Sequence, residues 1–279
     1  MKTELKNINP HIRFAQQLVL SQNGNFVHVG DCRIFYILSG SGEIAISENS
    51  YSLTENSLFF CREKSVYSIT SDKLTLISLN FDLNQENSLH TEPYSPVPVN
   101  EHKKNAGITA DGYLINSHIF ISDAKTYLGA IKSIVSEFDM QRIYFREKCS
   151  GILKNLITDI ARDLTLTTDH SAHAVEKAID FINNNFSEEI TNKEIAALTG
   201  YHEYHLNRLF IKHTNQSLHQ YLLTRRLNEA KKLLLGPDLS LAVIAEQSGF
   251  NSSSHFSSYF KLKCGITPYS YRNCYRKEI

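Results

Sequence analysis

Tyr204, Asn207, Arg208 and Lys212 combine donors, an acceptor and positive charge at the spacing of one helix face. That mixture suits contact with nucleic acid. An arginine fork gives two parallel hydrogen bonds to a guanine edge, and an asparagine reads adenine or a phosphate. A tyrosine stacks on a thymine methyl or reaches a phosphate. Glu203 beside them either reads a cytosine amine or stays solvated. A second set follows about fifty residues later, Ser253, Ser254, Ser258 and Lys261. Short hydroxyls read bases weakly, so this set is expected to supply phosphate contacts and register more than specificity.

The elements that position both sets form one unit written twice. Thr191, Ile195, Ala196 and Gly200 fall on Ser240, Ile244, Ala245 and Gly249 at an offset of 49. After the turn, Arg208, Phe210, Asn215 and Tyr221 fall on Ser258, Phe260, Gly265 and Tyr271 at an offset of 50. A repeat of this kind marks two copies of a supersecondary element. In the first copy Thr191 and Glu194 make a capping box that starts a helix, and Gly200 ends it at a left-handed position. A second helix, about Glu203 to His213, buries Leu206, Leu209 and Phe210. In the second copy a helix of Ser253 to Leu262 turns Phe256, Tyr259 and Phe260 inward. Between the copies, Leu218 to Leu235 reads as one helix stopped by Gly236-Pro237. Its 18 residues at about 1.5 Å each make it about 27 Å long, near the ~34 Å between consecutive major-groove faces. Ala174 to Asn184 is a further amphipathic helix in front of the repeat.

The stretch resembles the DNA-binding domain of the AraC/XylS family of bacterial transcription regulators. The matching motifs are Arg226-Leu227, Ala230 and Leu233-Leu234, then Ile244-Ala245, Gly249-Phe250 and His255-Phe256-Ser257. Tyr259-Phe260-Lys261, Gly265-Ile266-Thr267-Pro268 and Tyr271-Arg272 complete them. The resemblance covers roughly the last hundred residues. It implies double-stranded DNA read across two consecutive major grooves, base contacts from Tyr204, Asn207 and Arg208, and a structural Arg226. By family habit it also implies activation through RNA polymerase.

Ahead of this domain, Phe26 to Phe81 reads as short strands: Arg33 to Ser39, a turn at Ser39-Gly40-Ser41-Gly42, Glu43 to Ser47, Tyr51 to Leu53, Ser57 to Cys61, Val66 to Ile69 and Leu74 to Phe81. Such spacing suggests a small barrel or sandwich. Phe35 to Ile44, with Tyr51-x-Leu53 and Leu58-Phe59-Phe60, resembles the cupin-type sensing domain of many AraC-like regulators. Asn56-Ser57 stands where Gly-Asp is usual, and Asn tolerates the left-handed conformation. At the positions where cupin enzymes hold a metal this chain has Val27, Val29, Arg33 and Tyr67, which cannot replace imidazole or carboxylate. No metal, cofactor or catalytic residue is therefore expected. Strand parity puts Val27, Val29, Arg33 and Phe35 on one face, and the resemblance implies that this face lines the barrel. An inward arginine needs a partner, either an internal carboxylate or carbonyls, or a small anionic effector held bidentately. Arg33, Phe35 and Tyr67 are the candidate effector residues.

Residues 83–115 are polar with three prolines and read as an exposed loop. Two helices follow within about 122–166. Ser122 is the expected cap of the first, with Leu128, Ile131, Ile134 and Phe138 as its stripe. The second runs from about Tyr144 to Leu166. Their apolar width exceeds one packing face, and in resembling proteins paired helices here make the homodimer. The expected architecture is α+β: a cupin-like barrel with a helical dimerisation segment (1–166), a linker (167–173) and an all-α domain with two helix-turn-helix motifs joined by a long helix (174–279).

Bulk properties fit this organisation. At 279 residues the chain can hold two cores. No apolar run is long enough to cross a membrane, and the first residues lack the apolar core of a signal peptide, so a cytoplasmic protein is expected. The five cysteines lack metal-site or redox-motif spacing. Lys+Arg and Asp+Glu balance at 29 each, yet from residue 171 onward 13 basic residues face 10 acidic ones, a small field suited to phosphates. Two rival functions remain: a metal-dependent cupin enzyme with a DNA tether, and a regulator whose barrel receives a partner protein.

Overall fold

The computed structural model describes residues 8–84, 94–99, 118–236 and 238–275. The chain divides into two compact units at Asp163/Leu164. The first is an antiparallel sheet with two helices and the second is helical, an α+β arrangement. Most of residues 83–115, expected as a loop, lie outside the described residues.

Unit one contains β1 (His11–Asn23), β2 (Val27–His28), β3 (Cys32–Ile46), β4 (Asn49–Leu53), β5 (Leu58–Cys61), β6 (Val66–Asp82), β7 (Val97–Pro98) and β8 (His118–Ile121). The strand order is β7-β2-β6-β3-β5-β8, with β1 on β6 and β4 on β3. Two expected breaks are absent. Gly40-Ser41-Gly42 does not turn: β3 runs through it, bent by irregularities beside Ile37/Ser39 and Ser41/Glu43, while β6 runs unbroken along it. Glycine makes the bend possible. Gly40 sits at φ +89, and a Cβ there would lie 2.3 Å from the Lys73 carbonyl oxygen. Strand β1, unforeseen from sequence, pairs with β6 over most of its length. Asn56 adopts φ 67, the left-handed turn expected of it, and accepts a hydrogen bond from the Tyr36 hydroxyl at 3.0 Å. The strands bury an apolar cluster that includes Val29, Phe35, Ile44, Leu53, Phe59 and Leu76.

After a 3-10 turn at Lys125–Tyr127, α1 spans Leu128–Met140 and α2 Phe145–Thr168. Ser122 does not cap α1. Its N-cap position is Tyr127, with no side-chain cap, and the Leu128 amide donates back to the Lys125 carbonyl of the preceding 3-10 turn. Ile131 and Ile134 are buried as the stripe requires, while Leu128 and Phe138 are half-buried. Residues 167–173, expected as a linker, are helical apart from Asp169. Helix α2 reaches Thr168, Asp169 caps the next helix by accepting from Ser171 and Ala172, and α3 runs His170–Asn185. The polar composition hid this, because an Asp cap between two helices carries no apolar periodicity.

Unit two continues with α4 (Asn192–Thr199), α5 (Glu203–Thr214), α6 (Leu218–Leu235), α7 (Leu241–Gln247), α8 (Ser253–Cys264) and α9 (Pro268–Tyr275). The Thr191–Glu194 capping box forms, and Gly200 closes α4 at φ 73. Helix α6 serves two cores. Its first half gives Leu218 and Leu222 to a cluster with Val175, Ile182, Ile195, Leu206 and Phe210. Its second half gives Leu227, Ala230 and Leu234 to a cluster with Ile244, Ala245, Phe250, Phe256 and Phe260. Pro237 lies outside the described residues, and Gly236 is the C-cap.

Arg226 locks the halves together. It is buried, its Nε donates to the Phe186 carbonyl and its Nη2 to the Glu188 carbonyl, both at 2.7 Å. Burial lowers its pKa, an offset the two carbonyls must meet by hydrogen bonding.

Candidate nucleic-acid interface

The two copies match at atomic level. Ser217 accepts from the Gln220 amide and Thr267 from the Ser270 amide, each at 3.1 Å. Phe210 and Tyr221 meet edge-on at 5.5 Å and 75°, Phe260 and Tyr271 at 5.3 Å and 76°. These paired contacts seat α5 and α8 alike. Each buries its Leu206/Phe210 or Phe256/Phe260 side and exposes the other.

On α5, Tyr204, Arg208 and Lys212 are exposed. The Tyr204 ring stacks on His202 at 5.5 Å. An Arg208 Nη2 approaches His205 Nδ1 at 3.4 Å, and His205 stacks on Tyr201 at 5.2 Å. His205 was missed in the sequence; only its position three residues before Arg208 signals the contact.

Asn207 corrects the sequence reading. It is half-buried, and its Oδ1 accepts from the Leu218 amide at 3.0 Å, capping α6. That oxygen is thereby held in place by α6, while the side-chain NH2 stays free of it to donate to a phosphate. The second copy explains the difference: Ser257 replaces Asn207 and Pro268 replaces Leu218, and a proline has no N–H to cap. Asn207→Ala is expected to cost about 1 kcal/mol of stability, as lost caps do, while changing DNA sequence preference little. Denaturation paired with binding to matched and mismatched sites checks this.

On α8, Ser253, Ser254, Ser258 and Lys261 are all exposed. The repeat sets Leu262, not Lys261, opposite Lys212, so the basic residue is displaced by one step, about 100° round the helix. Leu262 is 76% exposed. The two helices thus offer different chemistry on one scaffold, with the long polar side chains on α5 and short hydroxyls on α8.

In unit one, Arg33, Phe35 and Tyr67 come together as expected, on the wall of a cavity of about 330 Å³. The partner of Arg33 is internal. Its Nε donates to Asp31 Oδ1 at 2.8 Å, its Nη1 to the Tyr67 hydroxyl at 3.2 Å and its Nη2 to the Tyr94 carbonyl at 2.6 Å. The anionic effector foreseen as one possible partner is thus not needed to pair this arginine. Burial alone would depress the guanidinium, but Tyr67 and Asp31 outweigh it and hold its pKa above the ordinary value. Burial also pushes the Tyr67 phenol up, with Arg33 opposing. Asp31 was missed, although it precedes Arg33 by two residues and strand parity would put both on one face. Val27 pairs with Tyr67 across β2 and β6. No cluster of His, Cys, Asp or Glu among the described residues could hold a metal ion. None of their helices is long and apolar enough to cross a membrane.

Tandem helix-turn-helix motifs sharing a central helix define a DNA-binding domain. Residues 195–273 match the family described as "Helix-turn-helix domain", and this domain is of the AraC type. The chain is 33% identical over 96 residues to the uncharacterized HTH-type transcriptional regulator YobQ of Bacillus subtilis, covering 34% of this chain and 40% of YobQ. It is 29% identical over 101 residues to the multiple antibiotic resistance protein MarA of Escherichia coli, covering 36% of this chain and 80% of MarA. A solved AraC-type transcriptional regulator from Chromobacterium violaceum aligns with 37% of this chain and 92% of its own at 31% identity and a TM-score of 0.35. The alignment spans less than half the length of YobQ.

Proposed function

We propose that the chain is a sequence-specific transcription regulator whose carboxyl-terminal domain lays α5 and α8 into consecutive major grooves on one face of DNA. The observation that carries this is the doubled motif: two similarly built supports on one 18-residue helix, each leaving the polar side of its second helix exposed. Tyr204, Arg208 and Lys212 supply base and phosphate contacts from α5. Ser253, Ser254, Ser258 and Lys261 hold α8 to the backbone.

The amino-terminal sheet serves as a cupin-like receptor whose cavity, walled by Arg33, Phe35 and Tyr67, takes a small effector. It also pairs with a second copy through its helical segment, where Met140, Ile143 and Tyr144 remain exposed at 56%, 86% and 76%. Transcription is raised through RNA polymerase. Sequencing of DNA recovered with the protein from its own cells tests the reading. A shared motif with two half-sites about one turn apart, shifted by purified protein in a gel, is expected. Recovery of DNA without a common motif would reject it.

A further inference from the structure

Taking the cavity of unit one as the effector site, we infer that its ligand is small, largely apolar and uncharged, anchored through a hydroxyl, ether or carbonyl oxygen, and that carboxylates are selected against. The walls are mostly hydrocarbon, from Phe14, Leu18, Leu20, Val27, Phe35 and Ile69. At the end walled by Arg33 and Tyr67 the charges already cancel, and the other polar side chains of the lining, those of Gln22, Asn25, Ser78, Asn80 and Ser95, are neutral. Arg33 is 5% exposed and Asp31 fully buried, and they are in contact at 2.8 Å.

The anion of that pair is fully engaged. Asp31 also accepts from Asn80 Nδ2 at 3.2 Å and from the Tyr94 amide at 3.3 Å. Asn80 Oδ1 in turn accepts from the Ser78 hydroxyl at 2.8 Å. The other buried arginine nearby, Arg13, lies over the Tyr94 ring at 4.7 Å and is paired with Asp82. Tyr67 stays neutral because burial raises its phenol. A carboxylate entering this end would lose its hydration and meet an arginine whose field a buried aspartate already offsets. A neutral oxygen meets a donor instead. Tyr67 accepts from Arg33 through its oxygen, so its own O–H is left to donate into the cavity it lines.

The same network holds the roof. Segment 94–98 joins the wall through Tyr94, Ser95 and Pro96 and pairs as β7 with β2. It is fastened by the two Tyr94 backbone bonds to Asp31 and Arg33. A Cβ on Gly30 would lie 2.9 Å from the Tyr94 ring, so the ring has its seat only because residue 30 is glycine. A carboxylate that captured Arg33 would have to break this fastening. A neutral ligand leaves it in place.

The test uses two dyes sharing one ring system: neutral N-phenyl-1-naphthylamine and its sulfonated analogue 8-anilino-1-naphthalenesulfonate. Each is titrated fluorimetrically into the full-length protein and into a Leu20→Trp variant that fills the cavity. The binding that the tryptophan abolishes is counted as cavity binding. The expected result is neutral-dye binding at least tenfold tighter than that of the sulfonate, with Asp31→Asn, verified folded by circular dichroism, tightening the sulfonate at least tenfold. A smaller preference in the wild-type protein overturns the inference about charge, and an unmoved sulfonate affinity in folded Asp31→Asn overturns the role given to Asp31. If neither dye shows binding sensitive to Leu20→Trp, the cavity is not a ligand site and the underlying reading fails instead.

Discussion

Alanine at position 249 is expected to destabilise the carboxyl-terminal domain by about 3 to 5 kcal/mol, a strained left-handed residue and an overpacked contact each costing about 1 to 3 kcal/mol. Gly249 sits at φ +79, and a Cβ there would lie 2.4 Å from the Phe186 carbonyl oxygen, 2.8 Å from Ser187 Cα and 2.9 Å from Arg226 Nε. All three belong to the junction where Arg226 ties the end of α3 to α6. The added methyl cannot be accommodated by a side-chain rotation, since two of its neighbours are backbone. Gly200 is the control. It holds the same conformation at φ +73, but a Cβ there meets nothing within 4 Å, so Gly200→Ala is expected to cost only the conformational part, about 1 kcal/mol. Urea denaturation followed at 222 nm, where helices dominate, separates the two. Equal costs at both glycines would show that the junction is not packed as described.

Arg208→Ala is expected to weaken binding to the specific site by about 1 to 3 kcal/mol, the worth of a bidentate base contact, and to change binding to random DNA far less. Ser258→Ala, at the repeat-equivalent position on α8, is expected to weaken specific binding by less than about 0.5 kcal/mol, as surface substitutions away from key contacts do. The contrast follows from side-chain length: the two helices are seated by matching Phe–Tyr contacts but present a long fork at one position and a short hydroxyl at its equivalent. Fluorescence anisotropy on specific and scrambled duplexes measures both. If Arg208→Ala lowers the two affinities equally, Arg208 contacts a phosphate and the base-reading role moves elsewhere on α5.

The helical unit was legible because its signals are local. A capping box spans four residues, a left-handed glycine marks one position, and the apolar face of α5 repeats within three turns. The residues foreseen as exposed on α5 and α8 are exposed, apart from Asn207. What escaped was set by distant partners. The acceptor of Asn207 is claimed by an amide eleven positions away, and nothing in the helix pattern announces that. In the sheet the distances are longer and the misses larger. Strand β1 draws its partners from β6 some fifty to seventy positions away, and its burial switches from a near-continuous run at one end to weak alternation at the other. Gly40-Ser41-Gly42 reads as a turn because glycine suits turns, yet glycine equally suits a strand bent against a neighbouring backbone. Strand parity put the arginine on one face with Val27 and Phe35, the resemblance turned that face inward, and all three line the cavity. The arginine's partner Asp31 has the same parity, while the third attachment, the Tyr94 carbonyl, lies 61 positions on and has no signature in the sequence.

The central claim is that one domain reads two successive major grooves from one side. Hydroxyl-radical and methylation footprinting of the recovered site, with the purified full-length protein, tests it most directly. The account predicts two protected major-groove patches for each bound domain, centred about 10 base pairs apart on the same face, with Arg208→Ala weakening one patch before the other. A single patch per domain, or two patches on opposite faces of the duplex, would contradict it.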